Sequence, residues 1–148
     1  MKAKDIMVQN VITVHRNATI KDIAKVLIDH GISGVPVVDD ADALVGIVSE
    51  GDLLHKEANP RLPDYVNILG AVIYYNGVEH YREDFKKLMA GQAADIMTKK
   101  VVSVSEETDI MDIAQLMLER GIKRVPVVKD GKIIGIISRA DIVKLLVN

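Results

Sequence analysis

Between positions 20 and 28 the apolar residues fall at Ile20, Ile23, Ala24, Leu27 and Ile28, the spacing of one face of an α-helix. The same rhythm returns at Ile110, Ile113, Ala114, Met117 and Leu118. Thr19 and Asp109 stand just before these runs as N-caps. Gly31 and Gly121 stand just after them, where a left-handed residue stops a helix. Other apolar runs are continuous. Residues 11–14 and 101–104 read as short strands, as do VPVV at 35–38 and 125–128 and the runs that open at Gly46 and Gly135. The polar stretches 39–42 and 129–131 are the turns between them. Continuous strands leave little room for a solvated face, so both faces of the sheet are expected to be covered. Ser49 and Ser138 then open a last helix. The predicted order is strand, helix, strand, strand, helix, an α/β (α+β) arrangement written twice.

The second writing follows the first at a constant offset. Residues 5–38 align with 95–128 without a gap, and 15 of these 34 positions are identical, which points to a duplicated unit rather than a shared composition. One residue is lost in the turn, after which Gly46 onward aligns with Gly135 onward. Two copies are too few for a solenoid and imply a pseudo-two-fold pair. A copy of this size buries too little apolar surface to be comfortably stable alone, so the copies are expected to pack through their sheets. The predicted segments are residues 1–56 for the first copy, 57–92 for an insert and 93–148 for the second copy. The insert holds all five aromatics, Tyr65, Tyr74, Tyr75, Tyr81 and Phe85. Tyr81, Phe85, Leu88 and Met89 share one face of a predicted amphipathic helix. Such a segment suits either capping the core or extending a dimer interface, or serving as a partner-docking or lid element.

Composition narrows the function. A net charge of −2 in 148 residues argues against a nucleic-acid binder held by phosphate attraction. The absence of Cys removes disulfides, thiolate metal sites and thiol nucleophiles. His15, His30, His55 and His80 have no metal-ligand spacing, and no metal is expected. No nucleophile–base pair, P-loop or Gly-x-Ser-x-Gly pattern is present, so an enzyme is not expected. No apolar run is long enough for a membrane span and the N-terminus lacks a secretory h-region, so a cytoplasmic protein is expected.

Two stretches carry the candidate chemistry, GIVSEGD at 46–52 and GIISRAD at 135–141. Each sets Ser three residues before Asp at a helix start. One reading is structural. Ser caps the helix and Asp sits where a capping box usually has Glu or Gln. The other is a ligand site. Free N–H groups at a helix start suit phosphate, and a nearby carboxylate can accept from ribose hydroxyls. Asp, being shorter than Glu, is expected to stand off from its own backbone and leave room for a sugar. The readings are compatible.

Three motifs recur in order in both copies: DIM, then Gly-Ile-x-x-Val-Pro-Val-Val, then Gly-Ile-x-Ser-x-x-Asp. In this each copy resembles a CBS domain, the module named for cystathionine β-synthase, and the chain resembles a tandem pair of the stand-alone kind. The resemblance implies clefts that take AMP, ADP, ATP or S-adenosylmethionine as regulatory ligands, with no catalytic cofactor. It also implies a homodimer and a regulated protein partner, with neither nucleic acid nor membrane as partner. One implied site joins Ser138, Asp141 and Arg139 with Thr13, Ala18, Ile32 and Ser33, and with Lys123 and Arg124 on phosphate. Its pseudo-symmetric counterpart joins Ser49 and Asp52 with Ser103, Thr108 and Ile122. The copies differ where phosphate would lie. Lys123-Arg124 and Arg139 of the second copy stand against Ser33-Gly34 and Glu50 of the first. The Ser138 site is therefore expected to prefer a phosphorylated adenosine. A scaffold that needs no ligand is the alternative function.

Overall fold

The computed structural model of the chain describes residues 1–54, 64–79, 82 and 91–147. The elements run α1 (Ala3–Ile6), β1 (Val14–His15), α2 (Ile20–His30), β2 (Gly34–Val38), β3 (Leu44–Ser49) and α3 (Glu50–Leu53). After them come β4 (Asp64–Ile68), β5 (Ala71–Asn76), α4 (Ala93–Ile96), α5 (Ile110–Arg120), β6 (Arg124–Lys129), β7 (Lys132–Ser138) and α6 (Arg139–Lys144). Strands β1, β2 and β3 form one sheet in that order, while β4–β5 and β6–β7 are two-stranded. The strand, helix, strand, strand, helix order read from the sequence is present in both copies, with an isolated bridge at Val104 standing for the first strand of the second copy. Among the described residues no helix is long and apolar enough to cross a membrane.

The long helices begin and end at the expected residues. Thr19 Oγ1 accepts from the Asp22 N–H at 3.1 Å, and Asp109 Oδ1 from the Met111 N–H at 2.9 Å. Each satisfies a donor that the first turn leaves without a helical partner. Gly31 and Gly121 end them at φ 59° and 63°, a conformation that costs other residues a Cβ clash. The expected apolar faces need one correction. Ile20, Ile23 and Leu27 are buried, as are Ile110, Ile113 and Met117, but Ile28 and Leu118 are exposed by 78% and 74%. Eight residues turn a helix by about 80° beyond two full turns. Ile28 and Leu118 thus lie at the edge of the stripe begun by Ile20 and Ile110.

The first strands are shorter than expected. Val11 N–H bonds to Gln9 O and Val101 N–H to Lys99 O, so these segments turn locally instead of joining a ladder. In the second copy Val104 alone makes the bridge, parallel to Val127, through bonds to Pro126 O and from Val128 N–H. The insert departs further from expectation. Residues 64–76 form an antiparallel hairpin, with Ile68 opposite Ala71 and Leu69-Gly70 as its turn at φ 51° and 83°. The helix expected through Tyr81, Phe85, Leu88 and Met89 lies outside the described residues.

The chain divides into two compact units that cut across the sequence copies. One gathers Met1–Thr13, Pro36–Gly46 and Lys99–Asn148; the other gathers Val14–Val35 and Ile47–Thr98. In the first, Ala3 joins Ile110, Ile113, Met117, Val125, Val127 and Ile137 in one buried cluster. So the N-terminal turn α1 packs in the core of the second copy's helix and strands. Its backbone is tied there by Ala3 N–H to Thr108 O at 2.8 Å and Lys4 N–H to Glu106 O at 3.0 Å. In the second unit α4 repeats this on the first copy, with Ala93 N–H to Ala18 O at 2.8 Å and Ala94 N–H to Arg16 O at 2.9 Å. Each DIM motif is therefore a one-turn helix that docks on the opposite copy.

Candidate functional site

The β6–β7 ribbon sets the geometry of the second Ser-x-x-Asp. Its antiparallel register places Arg124 opposite Ser138 and Val125 opposite Ile137. Val125 and Ile137 are fully buried in one hydrophobic cluster, which seats this end of the ribbon in the core. Just beyond the ladder, Arg139 N–H donates to Lys123 O at 2.9 Å. The structure thus brings Lys123, Arg124, Ser138, Arg139 and Asp141 together at one end of one ribbon. Lys123 is exposed and Arg124 half-buried.

Ser138 leaves the strand in extended conformation and caps α6. Its Oγ accepts from the Asp141 N–H at 3.2 Å, and Asp141 Oδ2 accepts from the Ser138 N–H at 2.9 Å and from Ser138 Oγ at 2.8 Å. Ser49 and Asp52 repeat the arrangement at the start of α3, with Asp52 Oδ2 2.7 Å from Ser49 N. Here the expectation that Asp stands off from its own backbone is corrected. The extended Ser turns its N–H toward the first helical turn, within reach of even the shorter carboxylate. Both Asp residues close full capping boxes. Each uses only one oxygen for this. Asp141 Oδ1 lies 3.6 Å from Lys144 Nζ, in an ion pair whose lysine is largely exposed. Asp52 Oδ1 accepts no hydrogen bond from the described residues. The cap therefore orients each carboxylate and leaves its second oxygen free to accept from a hydroxyl.

Arg139 is committed elsewhere. Its Nε donates to Ile122 O at 2.8 Å and its Nη2 to Met117 O at 3.4 Å, both at the C-terminal end of α5. A cation there complements the negative end of the helix dipole. The first copy keeps the backbone half of this arrangement, Glu50 N–H to Ser33 O at 2.9 Å, but has a carboxylate for the side chain.

The remaining sequence candidates are spread over both units. Thr13, Ser103, Thr108 and Ile122 belong to the unit of Ser138; Ala18, Ile32 and Ser33 belong to that of Ser49. Ala18 O and Thr108 O hold the docked turns α4 and α1, and Ile122 O holds Arg139. Thr108 Oγ1 also accepts from the Ser105 N–H at 3.1 Å. No hydrogen bond among the described residues joins Thr13 or Ser103 to a capping Asp.

A charged cluster escaped sequence reasoning. Lys4 pairs with Glu107, and Lys129 with Glu106 at 2.7 Å. The bonded lysine holds the Glu106 carboxyl below its usual range, and Glu107 and Glu106 raise Lys4 and Lys129 respectively. Asp5 and Asp95 were equally hidden. They accept from the Lys2 and Gln92 N–H groups at 2.7 and 2.8 Å, closing the turns of the DIM motifs. The clue was an acid at the third helical position without a Ser or Thr before it. Among the described residues no group of three or more His, Asp or Glu is placed to hold a metal. His15 Nδ1 and His30 Nδ1 bond backbone groups, and His55 and His80 lie outside the described residues.

Comparison with known proteins gives this geometry a family context. The CBS domain family matches residues 3–59 and 93–148. A protein of Methanocaldococcus jannaschii, MJ1426, uncharacterised, is 33% identical over 99% of this chain and 92% of its own length. The chloroplast CBS domain-containing protein CBSX2 of Arabidopsis thaliana is 32% identical over 92% of this chain, which spans 58% of it. The structure of CBSX2 in complex with AMP superposes with a TM-score of 0.74 at 29% identity, covering 99% of this chain and 96% of that one. The CBS domain pair of MJ0100 in complex with 5′-methylthioadenosine and S-adenosyl-L-methionine superposes at 0.70 and 27%, covering 99% and 95%.

Proposed function

The chain belongs to the CBS-domain family, a family of ligand-binding regulatory modules, and on that premise we propose that it senses adenosine-containing nucleotides and passes their binding state to a protein partner. The observation that carries this reading is the cluster at the end of the β6–β7 ribbon. There a capped, oriented Asp141 carboxylate lies at the same ribbon end as Ser138, Lys123 and Arg124. Asp141 Oδ1 accepts from the ribose hydroxyls, and the cations meet the phosphate, Arg124 as a fork and Lys123 as a point charge. Thr13, in the same unit, is the further adenosine contact. The AMP held by CBSX2 supports the ligand class. No step of catalysis is asked of these residues.

A second ligand chemistry is favoured at Ser49 and Asp52. That copy has Glu50 where the other has Arg139 and Ser33-Gly34 where the other has Lys123-Arg124. A less charged ligand fits it, such as adenosine itself or the S-adenosylmethionine seen with MJ0100. The chain acts as a cytoplasmic homodimer; the exposed Ile28, Met111 and Leu118 on its two long helices support the pairing alone. Burying such residues would stabilise a pair by about 25 cal/mol per Å² of apolar surface removed from water.

Titration calorimetry with adenosine, AMP, ADP, ATP and S-adenosylmethionine tests the assignment, on the wild type, Asp141→Ala and Asp52→Ala. Asp141→Ala is expected to weaken AMP by roughly tenfold or more, the loss of a charged hydrogen-bond acceptor. Equal affinity for adenosine and AMP, with no effect of either substitution, would overturn it. A melting temperature unmoved by every compound at millimolar concentration would favour the ligand-free scaffold.

A further inference from the structure

Arg139 lies inside the second Ser-x-x-Asp, yet its guanidinium faces α5. Three hydrogen bonds run from this one residue to the segment 117–123. Its N–H reaches Lys123 O, its Nε reaches Ile122 O, and its Nη2 reaches Met117 O. That segment closes α5 and leads directly into the candidate phosphate pair, Lys123 and Arg124. We propose that Arg139 is a positioning residue. It pins the backbone on which Lys123 and Arg124 stand, and is not itself a phosphate contact. The proposal rests on the reading of that pair as the phosphate partners.

The first copy shows what the side chain adds. Gly31 and Ile32 close α2 with the same backbone bonds that Gly121 and Ile122 make at the end of α5. Glu50 N–H reaches Ser33 O as Arg139 N–H reaches Lys123 O. What differs is the guanidinium on the carbonyls of residues 117 and 122. Met117 O, in the last turn of α5, also accepts from the Ile122 N–H, and Ile122 lies just past the cap, so a planar fork with several donors ties the helix end to the segment that follows it. A basic pair is useful to a phosphate only if its backbone is fixed, since otherwise the two flexible side chains lose their entropy on binding. The first copy has no basic pair to fix, and there the position carries an acid.

Two measurements test this. The first needs no ligand. Hydrogen exchange on the intact chain should show the Gly121 and Ile122 amides exchanging several-fold faster in Arg139→Gln, with Gly31 and Ile32 unchanged. Unchanged exchange at 121 and 122 would overturn the proposal whether or not a nucleotide binds. The second is the ratio of AMP to adenosine affinity in the wild type, Arg139→Gln, Arg139→Lys, Lys123→Ala/Arg124→Ala and Arg139→Gln combined with that pair. Arg139→Gln should lower the ratio by roughly three- to tenfold alone, in the range of one lost hydrogen bond, and leave it unchanged when the pair is absent. Arg139→Lys should not restore it, because an ammonium lacks the fork. An equal loss in both backgrounds, or full rescue by lysine, would instead make Arg139 a direct phosphate contact. No adenosyl binding in the wild type would sink the proposed function, while the exchange result would still decide the pinning role.

Discussion

The turns Ala3–Ile6 and Ala93–Ile96 hold the same backbone position with different side chains. Ala3 and Ala93 are both fully buried, and their N–H groups reach Thr108 O and Ala18 O at the same 2.8 Å. Yet α1 is also strapped by Lys4 to Glu107, with Lys129 and Glu106 beside it. The positions equivalent to Lys4, Glu106 and Glu107 are Ala94, Arg16 and Asn17, which cannot form that pair. The same division recurs at the Ser-x-x-Asp segments, where the caps match and Arg139 stands against Glu50. Pseudo-symmetry here resides in buried apolar positions and backbone bonds, while charge separates the copies. A duplicated fold keeps what its packing requires, and its exposed charges are left to differ.

The strongest test of that division is in the cores. Ile23 and Ile113 are equivalent and both fully buried. Replacing either by Ala should cost about 2–5 kcal/mol, through lost transfer energy and a residual cavity. Denaturant melts should give similar costs for the two; a cost under about 1 kcal/mol for one alone would break the equivalence. Next comes Gly135. A Cβ there would lie 2.5 Å from Met7 Sδ and 2.8 Å from its Cγ. Gly135→Ala should therefore destabilise by about 1–3 kcal/mol. Met7→Ala in the same chain should recover part of the loss, since it empties the space the new methyl needs. Absence of coupling between the two would mean that α1 is not seated as described. Smaller again are the N-caps. Thr19→Ala and Asp109→Ala should each cost about 1 kcal/mol by the same melts, and a neutral result at either would show that its bond contributes nothing.

How much of this was legible in the sequence follows from the length of each signal. Helices α2 and α5 carry three turns of apolar spacing, a cap and a terminal glycine, so several independent cues agree. Turns such as α1 and α4 have four residues, too few for any period, and their tertiary site lies on the other copy. The insert hairpin was hidden by its turn. Leu69 at φ 51° is an unfavourable residue for a left-handed position, where Asn or Gly would have announced the reversal. At the site, Ser-x-x-Asp was visible as a motif, and the spacing left cap and ligand group open, because the cap takes only one of the two carboxylate oxygens. The aim of Arg139 was not visible. Its partners are carbonyls, and every residue type presents a carbonyl.

The smallest expected effect concerns the charges that distinguish the copies. The Lys129–Glu106 pair is exposed, and such pairs contribute little and are screened by salt. Its signature is therefore better sought in pH than in size. The carboxyl of Glu106 is depressed in the folded chain, chiefly by its hydrogen bond from Lys129. A depressed acid stabilises the fold above its unfolded-state pKa, and that contribution fades as pH falls through the folded-state value. Lys4 and Lys129 are raised by their bonds to Glu107 and Glu106, so their contribution is present below the ordinary lysine range and fades as pH climbs past it. Glu106→Gln should thus lower the melting temperature slightly at neutral pH and low salt. The gap from wild type should close in acid and in high salt. Arg16→Gln, at the equivalent place in the first copy, should show no such dependence. If both variants tracked wild type at every pH and salt concentration, the Lys129–Glu106 pair beside α1 would carry no free energy, and that charge difference would distinguish the copies in sequence alone.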